Sequence, residues 1–124
     1  MRLLGAELSH VGPGRVHITL PGRAEVSQQH GYVHAGATSA IADSAGGYAG
    51  LTLMPDGTEV LTVEYKINLV APAEGDYLEA TGEVIKPGRT LTICRIEVHG
   101  VTGTKRKLVA TGQQTLIGLP QPTP

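Results

Sequence analysis

One segment with helical periodicity lies between segments that alternate like strands in this chain of 124 residues. The segment His34–Leu53 is rich in alanine, and small or apolar residues at positions 37, 41, 44, 48 and 51 follow one helix face. The turn residues Pro55–Gly57 end it. Six strands are predicted around this helix: Leu3–Glu7, Arg15–Leu20, Leu61–Leu69, Tyr77–Ile85, Thr90–His99 and Lys107–Ile117.

This order of elements strongly restricts the fold. Short loops between consecutive strands make neighbouring strands antiparallel. One helix cannot cover a flat six-stranded sheet, so we expect a curved antiparallel β-sheet wrapped around one long central helix, an α+β fold. A single domain is expected over residues 1–118, followed by a frayed, proline-rich tail at 119–124. Such a curved sheet leaves apolar surface for a second subunit.

Charge and composition exclude several classes of function. The formal net charge of -1 provides no basic field for nucleic acid. No apolar stretch is long enough to cross a membrane, and the first residues do not resemble a signal peptide. Cys94 is the only cysteine, which excludes an internal disulfide and fits a reducing compartment. We therefore expect a cytoplasmic protein with no nucleic-acid or membrane partner, in which Cys94 is a buried structural thiol.

The residues that suggest chemistry surround the start of the helix. Gln28–Gly36 reads Gln-Gln-His-Gly-Tyr-Val-His-Ala-Gly, and Asp43 follows nine residues after His34. This pattern resembles the hotdog-fold acyl-CoA thioesterase superfamily, specifically its PaaI-like (phenylacetate-pathway) branch. In that branch an Asn or Gln and then a Gly precede a His-Gly-Gly that opens the central helix, and an acid follows nine residues after the His. The resemblance covers roughly residues 3–117 and continues through Thr62, Ala71–Ala73 and Gly88–Leu91.

The resemblance implies a hotdog fold, hydrolysis of an acyl-CoA and a composite site shared by two subunits. It implies a homodimer at least, and a homotetramer is common in that family. No cofactor is implied, because coenzyme A is part of the substrate. Asp43 would be the general base or the nucleophile, and the amides of Ala35 and Gly36 would polarise the thioester carbonyl. The other implied site residues are the positioning residues Gln28, His34 and Thr62 and the substrate contacts Gly31, Gly88 and Arg89, the last two near the phosphates of coenzyme A.

The chemistry of these residues supports the same kind of site, independently of the resemblance to a family. The start of a helix presents unpaired N–H groups that can polarise a carbonyl oxygen. Asp43 is a lone acid in an apolar stretch, on a stripe of small residues where a ligand can approach. Nine helical residues rotate by about 900° and rise by about 13.5 Å, so His34 and Asp43 point to opposite sides of the helix. A site that takes one of them from each subunit resolves this separation.

Several alternatives stay open at this point. Asp43 could be structural and bonded to Ser39 or Ser44, and His34 could simply cap the helix. Thr62 could be an ordinary strand residue, and Gln28 a solvated loop residue. Arg89 could simply be a solvated charge at a turn, which is the safer interpretation. His30 and His34 have an i, i+4 spacing that can bind zinc, but no further ligand is evident and no metal is expected. A non-catalytic module that binds acyl-CoA or an effector is the main alternative function; a dehydratase of the same fold would need a different His–Asp motif.

Overall fold

The computed structural model describes residues 5–22 and 33–120. They form one helix and one six-stranded antiparallel sheet with the spatial order β1-β2-β4-β5-β6-β3. This confirms the predicted α+β architecture. The elements in chain order are β1 (Glu7–Gly12), β2 (Arg15–Pro21), α1 (Ala35–Leu51), β3 (Thr58–Leu69), β4 (Tyr77–Lys86), β5 (Leu91–Thr102) and β6 (Lys105–Pro120).

The helix packs closely on the sheet because its buried face is made mostly of small residues. Apart from Ile41, that face carries only alanine, glycine and threonine, and it packs mainly on β4, β2 and β5. At Gly82 of β4, an added Cβ would lie 2.3 Å from the backbone of Ala45, so only glycine fits there. Of the predicted helix face, positions 37 and 41 are buried, whereas Tyr48 points outward and is 44% exposed. The small residues, not the large ones, therefore mark the buried side.

The first strand lies further along the chain than predicted. It spans Glu7–Gly12 rather than Leu3–Glu7, and it joins β2 through a tight turn at Pro13–Gly14. Gly14 has a φ of +71°, the conformation that such a turn requires and that glycine adopts freely. The strand is at the edge of the sheet and all but its last residue are exposed, so its sequence carries no apolar alternation to reveal it.

A bulge in β3 reverses which side chains face the helix. The register shifts between Thr62 and Glu64, where one extra residue enters the strand. Thr62 therefore pairs with the buried Leu116, and Tyr65 pairs with the buried Gln114. Regular alternation would have placed residues 62 and 65 on opposite faces. The bulge turns the Thr62 hydroxyl toward the helix.

The last strand is longer than predicted. β6 continues through Leu119 and Pro120, which pair with Glu59 and Thr58 of β3. Pro120 is accommodated because it is the terminal residue of the strand, where a missing N–H interrupts no further ladder bond. The boundary expected at residue 118 therefore falls two residues short of the end of this strand. Within the described ranges, no helix is long and apolar enough to cross a membrane.

Candidate active site

Asp43 is held in the middle of the helix by side chains from two strands. Its carboxylate oxygen Oδ1 accepts a hydrogen bond of 2.8 Å from Thr62 Oγ1 of β3 and another of 2.7 Å from Gln114 Nε2 of β6. Gln114 Nε2 also donates to the Asp43 backbone carbonyl at 2.9 Å. Neither Ser39 nor Ser44 is among its described partners, so the structural alternative based on these serines is not what the structure shows.

The second carboxylate oxygen of Asp43, Oδ2, is not engaged by the side-chain contacts that the structure describes. No described side chain donates to Oδ2, and no described cation lies within 4.0 Å of the carboxylate. Asp43 is only half-buried and lines an open cavity of about 250 Å³. An acid that is held by hydrogen bonds on one oxygen and left without an ion pair is suited to act as a base or nucleophile. The cavity is lined by Asp43, Ser44, Gly47, Tyr48, Val60 and Thr62.

The start of the helix forms the second part of the candidate site. His34 is the N-cap residue, and its ring nitrogen Nδ1 accepts a hydrogen bond of 3.0 Å from the backbone N–H of Gly36. The carbonyl oxygen of His34 accepts from the N–H groups of Ala37 and Thr38. Among the described residues, none accepts from the N–H of Ala35, and no acid lies in the first turn to compete for it. Within the described ranges, the Ala35 N–H is thus a helix-start donor to which a ligand could bind.

The cavity beside this helix start is mostly apolar and measures about 300 Å³. His34 and Ala35 lie at its edge, so a carbonyl group bound there would face a helix N-terminus. His34 caps the helix, as the alternative interpretation proposed, and its role in positioning substrate stays a prediction. The cavity is lined by Val33, His34, Ala35, Thr38, Leu69, Ala71, Pro72, Ala73 and Val109.

The two parts of the site are separate within one chain. The cavity at Asp43 and the cavity at His34 share no lining residue. The helix carries these two residues about 13.5 Å apart along its axis, by the rise of nine residues. One thioester carbonyl is far too small to contact both. This is the geometry expected for a site completed by a second subunit.

The remaining predicted site residues lie elsewhere or outside the described residues. Gly88 and Arg89 line a third cavity of about 380 Å³, next to the end of the helix and the turn that follows it. That cavity contains neither His34 nor Asp43. Gly88 lies close to the backbone of Leu91, since an added Cβ would lie 1.9 Å from the carbonyl oxygen of Leu91. Gln28 and Gly31 fall outside the residues that the structure describes.

Sequence reasoning missed Gln114, although it contacts Asp43 directly. It is 1% exposed and stands between residues of β6 that alternate inward and outward. The available signal was a glutamine at an inward position of a strand, where apolar residues such as Leu116 are the rule. Its target could not be read from the sequence, because the two residues are 71 positions apart.

The described part of the chain contains neither a metal-binding cluster nor a reactive cysteine. It contains no group of three or more His, Cys, Asp or Glu side chains that could hold a metal ion. Cys94 is buried, as predicted, with its sulfur 3.6 Å from the carbonyl oxygen of Gly46. Burial raises the pKa of the Cys94 thiol to about 11, so at neutral pH it is not the thiolate that a nucleophile requires.

Comparison with known proteins agrees with this fold. Residues 30–107 match the pattern that defines the Thioesterase superfamily. A thioesterase family protein from Silicibacter pomeroyi is 42% identical with a TM-score of 0.92, covering 96% of this chain and 88% of that one. A thioesterase from Haemophilus influenzae is 25% identical with a TM-score of 0.85, covering 94% of this chain and 80% of that one. The chain belongs to the thioesterase superfamily, its fold is the hotdog fold, and it is a thioesterase that hydrolyses acyl thioesters.

A further similar structure was solved with coenzyme A bound. This protein from Bacillus halodurans is 28% identical with a TM-score of 0.76, and the match covers 83% of this chain and 66% of that one.

Proposed function

We propose that this thioesterase hydrolyses acyl-CoA to a free acid and coenzyme A, with Asp43 as the general base or nucleophile. The observation that carries the proposal is the Asp43 carboxylate, whose Oδ1 accepts two hydrogen bonds while Oδ2 accepts none from the described side chains, in a residue that lines an open cavity. A similar protein binds coenzyme A, which supports this thiol as the leaving group. The resemblance to the PaaI-like branch and the reducing compartment suggested by the lone Cys94 make a cytoplasmic acyl-CoA the substrate we expect.

Two routes use the same oxygen, Oδ2. As a general base, Oδ2 takes a proton from water while the water oxygen attacks the thioester carbon; the C–S bond then breaks and the proton goes to the departing thiolate. As a nucleophile, Oδ2 attacks the carbon itself, expels the thiolate and leaves an anhydride that water hydrolyses. Thr62 holds Oδ1 in either route, so it orients the carboxylate rather than reacting.

The negative charge that develops on the carbonyl oxygen needs donors, and the helix start supplies them. The Ala35 N–H is available directly, because no described residue accepts from it. The Gly36 N–H becomes a second donor when the His34 ring turns from its cap onto the substrate. Such donors act on the charge that forms in the transition state, where they lower the barrier most. Gln28 and Gly31 would complete this end of the site, and Gly88 and Arg89 would contact the phosphates of coenzyme A.

A second copy of the chain completes the site. The acid and the helix-start donors line separate cavities within one chain, so each must meet its counterpart from another subunit. β3 is an edge strand of twelve residues with four large apolar side chains that are about half exposed. A long apolar edge strand left uncovered is a liability that proteins usually pair or shield. We therefore infer a homodimer at least, from which a homotetramer can assemble.

The test is thiol release from a panel of aryl and alkyl acyl-CoAs, with Asp43→Asn measured beside the unchanged protein. The variant keeps size and hydrogen bonding but removes the base, so we expect turnover to fall by about 10³-fold or more. Glu7→Gln, the same change on an exposed acid of β1, is the matched control and should keep full activity. Near-normal turnover by folded Asp43→Asn would refute the role of Asp43. Tight acyl-CoA binding by the unchanged protein without turnover on any panel member would favour the non-catalytic binding module.

A further inference from the structure

We propose that Gln114 is a positioning residue that fixes which oxygen of the Asp43 carboxylate faces the reacting carbonyl. This inference rests on the proposed function, because it concerns the same carboxylate. Gln114 lies in the middle of β6 on the side that faces the helix, and it is 1% exposed. A buried amide costs free energy unless its polar atoms are paired. Among the described residues the Gln114 nitrogen Nε2 has partners, whereas the oxygen Oε1 is buried without one, so the contacts of Nε2 indicate why the residue is there.

Both donors of the Gln114 amide are used on one residue. Its Nε2 donates to Asp43 Oδ1 at 2.7 Å and to the Asp43 carbonyl oxygen at 2.9 Å. A side-chain NH₂ group has two N–H bonds, so this pair of contacts exhausts it. This fixes the orientation of the amide, because exchanging its nitrogen and oxygen would place the amide oxygen against two acceptor oxygens of Asp43. The result is a clamp that ties the acid side chain to its own backbone.

The helix leaves a space for this clamp. Gly46 lies one turn after Asp43, and an added Cβ there would lie 1.9 Å from Gln114 Oε1 and 2.8 Å from Gln114 Cδ. Any other residue at position 46 would push the amide out of place. The absence of a side chain at Gly46 and the amide of Gln114 are thus complementary parts of one arrangement.

The clamp has a direct chemical consequence. Thr62 and Gln114 donate to the same oxygen, Oδ1, so Oδ2 is the oxygen that these two contacts leave for the reaction. Without the amide, the Thr62 hydroxyl is the one described side-chain donor left to the carboxylate, which can then rotate away from the substrate. Hydrogen bonds to an anionic oxygen are among the stronger ones in proteins, so this restraint is not trivial. Misplacing a reacting group by about 1 Å can cost on the order of 10²-fold in rate.

The test compares Gln114→Met with Gln113→Met, using kcat, KM, melting temperature and subunit mass. Methionine keeps the length and flexibility of glutamine and removes its donors. We expect Gln114→Met to lower kcat by about 10- to 100-fold while KM stays within about twofold, since the amide contacts Asp43 and not the substrate. Gln113 is the next residue, is exposed and points to the other side of the sheet, so its variant should match the unchanged protein.

A purely structural role predicts a different result. It would lower the melting temperature and the yield of folded protein but leave the kcat of the folded enzyme unchanged, and that result would overturn the proposal. If Gln114→Met does not fold, Gln114→Asn takes its place, because an amide one methylene shorter cannot reach both acceptors; a folded Gln114→Asn with unchanged kcat would equally overturn it. An active protein that loses turnover in Asp43→Asn but not in Gln114→Met would refute this inference alone. Absence of turnover by the unchanged protein would refute the proposed function and this inference together.

Discussion

The start and the middle of the helix, which carry the two parts of the candidate site, are stabilised in different ways. At its start, His34 caps the helix through its own side chain and a neighbour two residues away. In its middle, Asp43 depends on partners 19 and 71 residues away along the chain. The donors are therefore encoded locally, whereas the acid is placed by the register of two strands. A change at the helix start should act on catalysis alone, while changes around the middle of the helix should affect both the carboxylate and the packing beneath it.

Among changes at the helix start, Ala35→Pro should have the largest effect on kcat. Proline is tolerated at the first position of a helix, and the φ of -59° and ψ of 137° at His34 suit a following proline. The change removes one N–H group and little else. We expect kcat to fall by about 10²- to 10³-fold with an unchanged melting temperature. A folded variant with normal kcat would show that the Ala35 N–H is not an oxyanion donor.

A pair of glycine substitutions tests how closely the middle of the helix packs on β4. Gly82→Ala would place its Cβ 2.3 Å from the backbone of Ala45 and must displace the helix or β4. We expect a loss of about 1 to 3 kcal/mol in the free energy of unfolding, measured with denaturant. Gly47→Ala meets nothing within 4 Å and should instead add up to about 1 kcal/mol through helix propensity. Equal effects of the two changes would contradict the close packing described here.

The smallest predicted effect concerns the second donor to Asp43. Thr62→Val keeps the shape of the side chain and removes the hydroxyl that donates to Oδ1. Because Gln114 still holds the carboxylate, we expect only about a tenfold loss of kcat, at the lower end of positioning effects. Thr111→Val, on the opposite face of the sheet, is the matched control and should be neutral. A loss as large as that of Asp43→Asn would mean that Thr62 reacts rather than orients.

The sequence predicted most of the fold because periodicity is a local property. The helix and the four strands after it follow from the spacing of apolar residues, and the curved sheet follows from having only one helix to cover it. The first strand was misplaced because it lies exposed at an edge, where no alternation is required. Its true position is set by the turn at Pro13–Gly14.

Residues in both halves of the candidate site were named from the sequence, but the contacts that hold Asp43 in place were not predictable. The spacing between His34 and Asp43 already implied that they point apart, and the separate cavities agree. The orientation of Thr62 depends on a bulge, which shifts every later residue of β3 to the other face and leaves little trace in the sequence. The contact of Gln114 depends on the register of β6 relative to the helix. Long-range register is a property of the whole sheet, so no local pattern could reveal it.

The most direct test of the shared site mixes two inactive variants. Ala35→Pro and Asp43→Asn are unfolded together in equal amounts and refolded, and thiol release is compared with that of each variant refolded alone. In a mixed dimer, the intact helix start of one subunit meets the intact acid of the other at one of the two sites. The shared site therefore predicts recovery of about a quarter of normal activity, since half the dimers are mixed and half their sites are whole. No recovery, with mixed dimers confirmed by mass, would contradict it and place the whole site within one chain.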